Sequence, residues 1–163
     1  MGIACGMDKR KKRERYELLL SQIEALIKGE TNTVGVLANV SSALHHAFDT
    51  FFWTGFYLRQ GNALHLGPFQ GIVACYTIPV GKGVCGTACK KASTIVVPDV
   101  EQFEGHIACS SQSRSEIVVP LFNADGKVDC VLDIDSTELA AFDDIDRIWL
   151  EKIASAMASS LYG

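Results

Sequence analysis

Apolar side chains recur at helical spacing at both ends of this chain and give way to short extended runs between them. Tyr16, Leu19, Leu20, Ile23, Leu26 and Ile27 lie three or four residues apart, which predicts a helix that stops at Gly29. Val36, Leu37, Val40, Leu44, Ala47 and Phe48 repeat the pattern, with Asn32 or Thr33 able to cap the start. Ile145, Ile148, Trp149, Ile153, Met157 and Leu161 form one side of a last helix from about Asp143. From Phe52 to Val97 the runs F-F-W-T-G-F-Y-L, A-L-H-L, I-V-A-C-Y-T-I-P and T-I-V-V-P read as strands, punctuated by Gly61, Gly67-Pro68, Pro79 and Pro98. Two further strands fit Glu116–Phe122 and Val128–Asp135, joined by the turn N-A-D-G. Helices bracketing such a meander predict an α+β domain, a mainly antiparallel sheet of about six strands flanked by helices. There is no internal repeat and no low-complexity linker.

The chain has 163 residues and 48% hydrophobic composition, enough for one domain with a core that needs no staples. Its net charge of -4 hides an asymmetry. Residues 1–15 carry six basic side chains against Asp8 and Glu14, so the rest holds nine basic groups against seventeen acidic ones. The expected organisation is a basic, flexible N-terminal segment, residues 1–15, followed by a single domain, residues 16–163. An acidic body without a basic stripe argues against nucleic acid as a partner. No run approaches the ~18 apolar residues of a membrane span, and no secretory leader is evident. The expected setting is cytoplasmic and reducing, where a permanent disulfide framework does not form.

Six cysteines then carry most of the chemistry. Cys130, in V-D-C-V-L, reads as core filling. Cys89 lies one helical turn beyond Cys85 and reads as packing. There is no C-x-x-C, and His106 with Cys109 offers a lone H-x-x-C pair, so no metal site is expected. Cys75, Cys85 and Cys109 sit in G-I-V-A-C-Y-T-I-P-V-G, G-K-G-V-C-G-T-A and G-H-I-A-C-S-S-Q-S-R-S. Cys85 falls in the first turn of a short helix opening after Gly83, where the helix N-terminus and Lys82 would favour a thiolate. The polar, serine-rich stretch around Cys109 reads as a mobile loop over a site. Asp133 and Asp135, two apart in V-L-D-I-D-S, share one face of a strand. Thiols beside an acidic pocket suggest redox chemistry on a small molecule.

The segments W-T-G-F-Y-L, L-G-P-F-Q-G-I-V-A-C, I-P-V-G-K-G-V-C-G-T-A, H-I-A-C, S-E-I-V-V-P-L and V-L-D-I-D-S resemble the free methionine-(R)-sulfoxide reductases, single GAF-domain enzymes, over roughly residues 16–162. The resemblance implies thiol-dependent reduction of free L-methionine-(R)-sulfoxide, with no bound cofactor and with thioredoxin or a similar protein as reductant. It implies that Cys109 attacks the sulfoxide and becomes a sulfenic acid, that Cys85 is the main resolving thiol, and that Cys75 can join the exchange. Glu116 is the leading proton donor by the same resemblance, with Asp133 and Asp135 as ligands of the substrate amine or proton partners. Clustered carboxylates cannot all ionise readily, so one of them should keep a proton near neutrality. Trp53 would sit against the substrate methyl group and Tyr57 along the pocket wall, although aromatic residues in a strand also fit plain core packing. The substrate carboxylate would meet backbone N–H groups near the Cys109 loop. His106 stays outside the catalytic set, because three residues of loop assure no contact with Cys109.

The alternative reading is a GAF sensor module that binds a small ligand without catalysis. The absence of an output domain and the idle thiols that reading would leave count against it. A homodimer is compatible with the sequence. The start M-G-I-A-C-G-M-D-K-R-K-K-R partly resembles an acylation signal, with Gly2, Cys5 and a polybasic run, which together would give weak membrane attachment. Gly6 stands where that pattern wants serine or threonine, and a solvated lead-in to the first helix is the competing reading.

Overall fold

The computed structural model describes residues 7–163. Its elements run α1 (Lys9–Ile27), α2 (Thr33–Ala47), β1 (Trp53–Gln60), β2 (Ala63–Gln70), β3 (Thr77–Pro79), α3 (Gly83–Lys91), β4 (Ile95–Val97), β5 (Ser115–Phe122), β6 (Val128–Ser136) and α4 (Asp144–Tyr162). The six strands form one sheet in the order β3-β2-β1-β6-β5-β4, and every neighbouring pair is antiparallel. This is the α+β arrangement that the hydrophobic pattern predicts.

Alternation along the strands splits the molecule into two layers. Phe56, Ile117, Leu132 and Ile134 turn to one face and join Tyr16, Ile23, Leu37, Leu44, Leu150 and Met157 from α1, α2 and α4. The other face carries Trp53, Tyr57, Val118 and Val131, packed with Val84, Cys85 and Ala88 of α3. The three long helices therefore build the main core, and α3 alone leaves the opposite face open for a site. Cys130 is fully buried in the helical layer, as expected of a core thiol.

Local chemistry sets the helix starts. Asn32 rather than Thr33 caps α2, its Oδ1 accepting from Gly35 N at 3.0 Å. Asp143 and Asp146 form a reciprocal capping box at α4. Asp8 caps α1 through Arg10 N, so the helix takes in Lys9–Arg15. The basic run is thus not a free lead-in. Lys12 Nζ reaches Asp143 Oδ1 at 3.1 Å and Asp146 Oδ2 at 2.5 Å, and Arg15 donates to the Ala47 carbonyl at 3.0 Å. Gly2 and Cys5, on which the acylation reading rests, lie outside the described residues. Among the described residues no helix is long and apolar enough to cross a membrane.

One expected strand is mostly loop. Of I-V-A-C-Y-T-I-P only Thr77–Pro79 pairs, against β2. Gly71, at φ 131°, turns the chain out of the sheet. The Ile72 carbonyl then accepts from Trp53 Nε1 at 3.0 Å, and the Cys75 carbonyl accepts from the Tyr57 hydroxyl at 3.1 Å. Side chains of β1 satisfy the carbonyls that a strand ladder would otherwise take.

Candidate active site

The site lies on the α3 face, and strand register assembles most of it. Glu116 of β5 stands opposite Asp135 of β6, and Asp135 stands opposite Trp53 of β1. One pleat further on, Asp133 lies between Val118 and Gly55. Three acids and an aromatic ring from three adjacent strands therefore share one surface. Gly55 makes room for that ring: a Cβ there would meet Trp53 Cη2 at 2.7 Å and Phe69 Cβ at 2.3 Å. The indole can then lie across the strand, stacked on Phe69 with centroids 5.1 Å apart and on Tyr57 at 6.0 Å.

A cavity of about 50 Å³ opens above these residues, with Trp53, Tyr57, Cys85, Cys109, Glu116, Asp133 and Asp135 in its walls. Glu116 and Asp133 are buried, and Asp135 is half-buried. Burial, and then the charge of neighbouring Asp133 and Asp135, pushes the Glu116 carboxyl well above the usual range. Asp135 is pushed well above it by burial and by Asp133, although the Ser113 hydroxyl donates to its Oδ1 at 3.0 Å. Asp133 is raised by burial as well, but hydrogen bonds with Glu116, Cys85 and Asp135 pull it back down. The protonated form is therefore favoured most at Glu116 and Asp135 and least at Asp133, which makes Asp133 the natural acceptor at the centre. Its Oδ1 is buried and has no hydrogen-bond partner. A buried acceptor without a donor is costly, and here it points to a ligand donor.

The thiols are arranged differently from expectation. Cys109 is joined to Cys75, with Cα atoms 5.5 Å apart, and Cys85 is a free, buried thiol. The sequence reading favours Cys85 as the partner of Cys109 and leaves Cys75 open as the other. Cys75 and Cys109 instead lie on two facing loops, outside any ladder, where the backbone can bring them into register. Cys85 is fixed in the first turn of α3, its sulfur within 4.8 Å of an Asp133 carboxylate oxygen. The surroundings of Cys85 work against the expected thiolate. Burial first, then Asp133, Glu116 and Asp135, pushes its thiol well above the usual value, and these outweigh the helix N-terminus and Lys82. Cys89 is buried against the same helix layer as core.

Two residues enter the site from outside the expected catalytic and binding set. His106 lines the cavity with its Nε2 3.8 Å from Glu116 Oε2, and burial lowers its pKa, so it faces the protonated acid as a neutral ring. Ser113 holds Asp135. The H-x-x-C spacing marked His106, but no spacing separates Ser113 from its serine neighbours. The Cys85 sulfur and carboxylate oxygens of Glu116 and Asp133 lie within 4.8 Å of one another, close enough to share a cation. Metal ligation needs these groups deprotonated, and burial in this pocket works against that.

The GAF domain family model matches residues 35–161. A GAF domain-containing protein A of Dictyostelium discoideum is 53% identical, with 90% of this chain and 92% of the relative covered. The free methionine-R-sulfoxide reductase of Saccharomyces cerevisiae is 46% identical, with 91% of this chain and 87% of the relative covered. Among solved structures, the free methionine-R-sulfoxide reductase of Neisseria meningitidis, in complex with its substrate, is 48% identical and superposes with a TM-score of 0.88 over 91% of this chain and 89% of that one. The acids, the aromatic wall and the loop thiols thus stand in a frame shared with sulfoxide-reducing enzymes, and the chain belongs to the GAF-domain family of free methionine-R-sulfoxide reductases.

Proposed function

We propose that this protein reduces free L-methionine-(R)-sulfoxide to L-methionine at the cavity walled by Cys109 and the three carboxyls. The observation that carries the reading is the unpartnered Asp133 Oδ1 beside a protonated Glu116, with Cys109 on the same cavity. Asp133 takes the substrate ammonium, since a buried acceptor with no donor is satisfied by a charged N–H group. The N-terminal turn of α3, whose Gly83 and Val84 line the cavity, offers backbone N–H groups for the substrate carboxylate. Trp53 supplies an apolar face for the methyl group.

In the chemical step the Cys109 thiolate attacks the sulfoxide sulfur. Glu116 delivers the proton that the departing oxygen needs. The oxygen moves to Cys109, giving methionine and a sulfenic acid. The Cys75 thiol then displaces that oxygen as water and forms the Cys75–Cys109 disulfide. Two electrons have passed from two thiols to the substrate, and an external dithiol restores them. Cys85, a buried thiol beside Asp133, stays outside the exchange.

Thiol titration tests the reading. The fully reduced chain carries six thiols. One equivalent of the free sulfoxide, without external reductant, is expected to remove two of them and release one methionine. A ligand-binding module would lose none, and that result would overturn the proposal.

A further inference from the structure

The two sulfurs of the disulfide face different surroundings. Cys109 lines the cavity and is followed by the polar run Ser110, Ser111 and Gln112. Cys75 does not line the cavity, although Ile72, Val73 and Ala74 before it stand at its rim, and it sits in the segment Gly71–Pro79, which holds no charged residue. Around it Ile72 is 40% exposed, Val73 85% and Tyr76 83%. Single exposed apolar residues are ordinary, but three within five positions around one redox sulfur form a patch. The backbone beneath the patch is held from inside. Trp53 Nε1 binds the Ile72 carbonyl, the Tyr57 hydroxyl binds the Cys75 carbonyl, and Leu66 N donates to the Tyr76 carbonyl at 2.9 Å. With three carbonyls of one short loop tied inward, the apolar side chains project outward from a fixed platform. A pre-ordered surface loses little entropy when a partner covers it.

We propose that Cys75 is the sulfur at which a dithiol protein reductant enters, and that Val73 and Tyr76 are its landing surface. The partner is a small protein whose reactive thiol is surrounded by apolar surface, because an uncharged patch offers nothing to steer or pair a charged one. This inference rests on the reductase reading above and extends it to the recycling half of the cycle.

The exchange follows from the geometry. The partner thiolate attacks Cys75 Sγ, the Cys75–Cys109 bond breaks, and Cys109 leaves as a thiolate into the cavity. The second partner thiol, giving up its proton, then attacks the mixed disulfide and releases Cys75. The partner ends as a disulfide and the enzyme as a Cys75 thiol and a Cys109 thiolate, so two electrons and one proton have moved. Entry at Cys109 would instead require the partner to reach into the cavity that holds the substrate.

The test uses the full chain, oxidised by one equivalent of the free sulfoxide. Thioredoxin with its second active-site cysteine changed to serine is added, and the trapped adduct is mapped by mass spectrometry. The adduct is expected on Cys75. In parallel, wild type and Tyr76→Asp are reduced by intact thioredoxin or by dithiothreitol. Tyr76→Asp should lower the thioredoxin rate about tenfold, the loss of one interface anchor, while the dithiothreitol rate and the first methionine released stay unchanged. An adduct on Cys109, an unaffected thioredoxin rate in Tyr76→Asp, or no reduction of wild type by thioredoxin would each overturn the inference. Failure of the sulfoxide to form the disulfide at all would instead sink the reductase reading.

Discussion

Glu116 and Asp135 face each other directly across β5 and β6, two acids at one level of a buried pleat. Both are pushed well above the ordinary carboxylate range, mainly by burial and then by the charge of Asp133. Such a pair is stable only while it holds protons. The direction of the pH effect follows: a carboxyl raised in the folded state contributes stability below its unfolded pKa and loses it as pH rises through the folded value.

Glu116→Gln should therefore stabilise the protein in the alkaline arm while disabling it. The gain is expected at about 1–2 kcal/mol at pH 8, fading below about pH 4 where glutamate is protonated in both states. Turnover should fall at least ~100-fold with the proton donor gone. Urea unfolding at the two pH values, read beside single-turnover kinetics, checks both halves. Equal stability gains at pH 4 and pH 8 would show that Glu116 is not the strained acid.

The cysteine variants should separate by role. Cys109→Ser is expected to fall below about a thousandth of wild-type activity, since a hydroxyl cannot replace the attacking thiolate. Cys75→Ser should release one methionine rapidly and then stall with a sulfenic acid on Cys109. Cys85→Ser should still form the disulfide, because its thiol is buried against Asp133 and takes no part in the observed bond. Mass mapping after one turnover distinguishes the three. A stalled sulfenic acid in Cys85→Ser with a normal cycle in Cys75→Ser would reverse the assignment.

The partner of Cys109, for which the sequence favours Cys85 and keeps Cys75 open, shows where sequence reading stops. Strand alternation was enough to put Asp133 and Asp135 on one face, and the helical periods located α1, α2 and α4. Cys85 looked activated because its local sequence places it at a helix start beside Lys82. Its state is decided first by burial and then by Asp133, Glu116 and Asp135, which reach it only through the sheet. The loop at Cys75 was read as strand because its composition is β-prone. Its carbonyls are taken by Trp53 and Tyr57, whose reach no local pattern reports. Likewise, the basic run looked free because its counter-charges, Asp143 and Asp146, lie at the far end of the chain.

Substrate selectivity should follow from Asp133. Its open oxygen suits an ammonium, and an N-acetyl group removes both the charge and two of the donors. A buried polar group left unpaired costs about 1–3 kcal/mol, so kcat/KM for N-acetylmethionine sulfoxide should fall by roughly 10- to 100-fold, and further for a peptide that also loses its carboxylate. Asp133→Asn should shrink that discrimination by weakening the free substrate most. Comparable rates on free and peptide-bound sulfoxide would contradict this pocket.

The last prediction concerns the clasp that ties the first helix to the last. Asp146 is buried and accepts from the Tyr16 hydroxyl at 2.5 Å and from Lys12, while its backbone closes the α4 capping box. Burial raises its pKa, and the hydrogen bonds from Lys12, Tyr16 and Asp143 N–H offset much of that effect. Removing the carboxylate would leave the Tyr16 hydroxyl and a largely buried Lys12 with less to pair against. Asp146→Ala should therefore cost about 3–5 kcal/mol of unfolding free energy, the range for breaking one side of a buried pair. Asp146→Asn should recover part of the loss, because the amide oxygen can still accept from Tyr16. The clasp lies against the helical layer, on the opposite side of the sheet from the carboxyls, so the surviving folded fraction should keep its single-turnover rate. Guanidinium unfolding of both variants, with turnover normalised to folded protein, measures this. A stability loss below about 1 kcal/mol in Asp146→Ala would mean that apolar packing of Tyr16 and Trp149, not the charge network, holds α1 to α4.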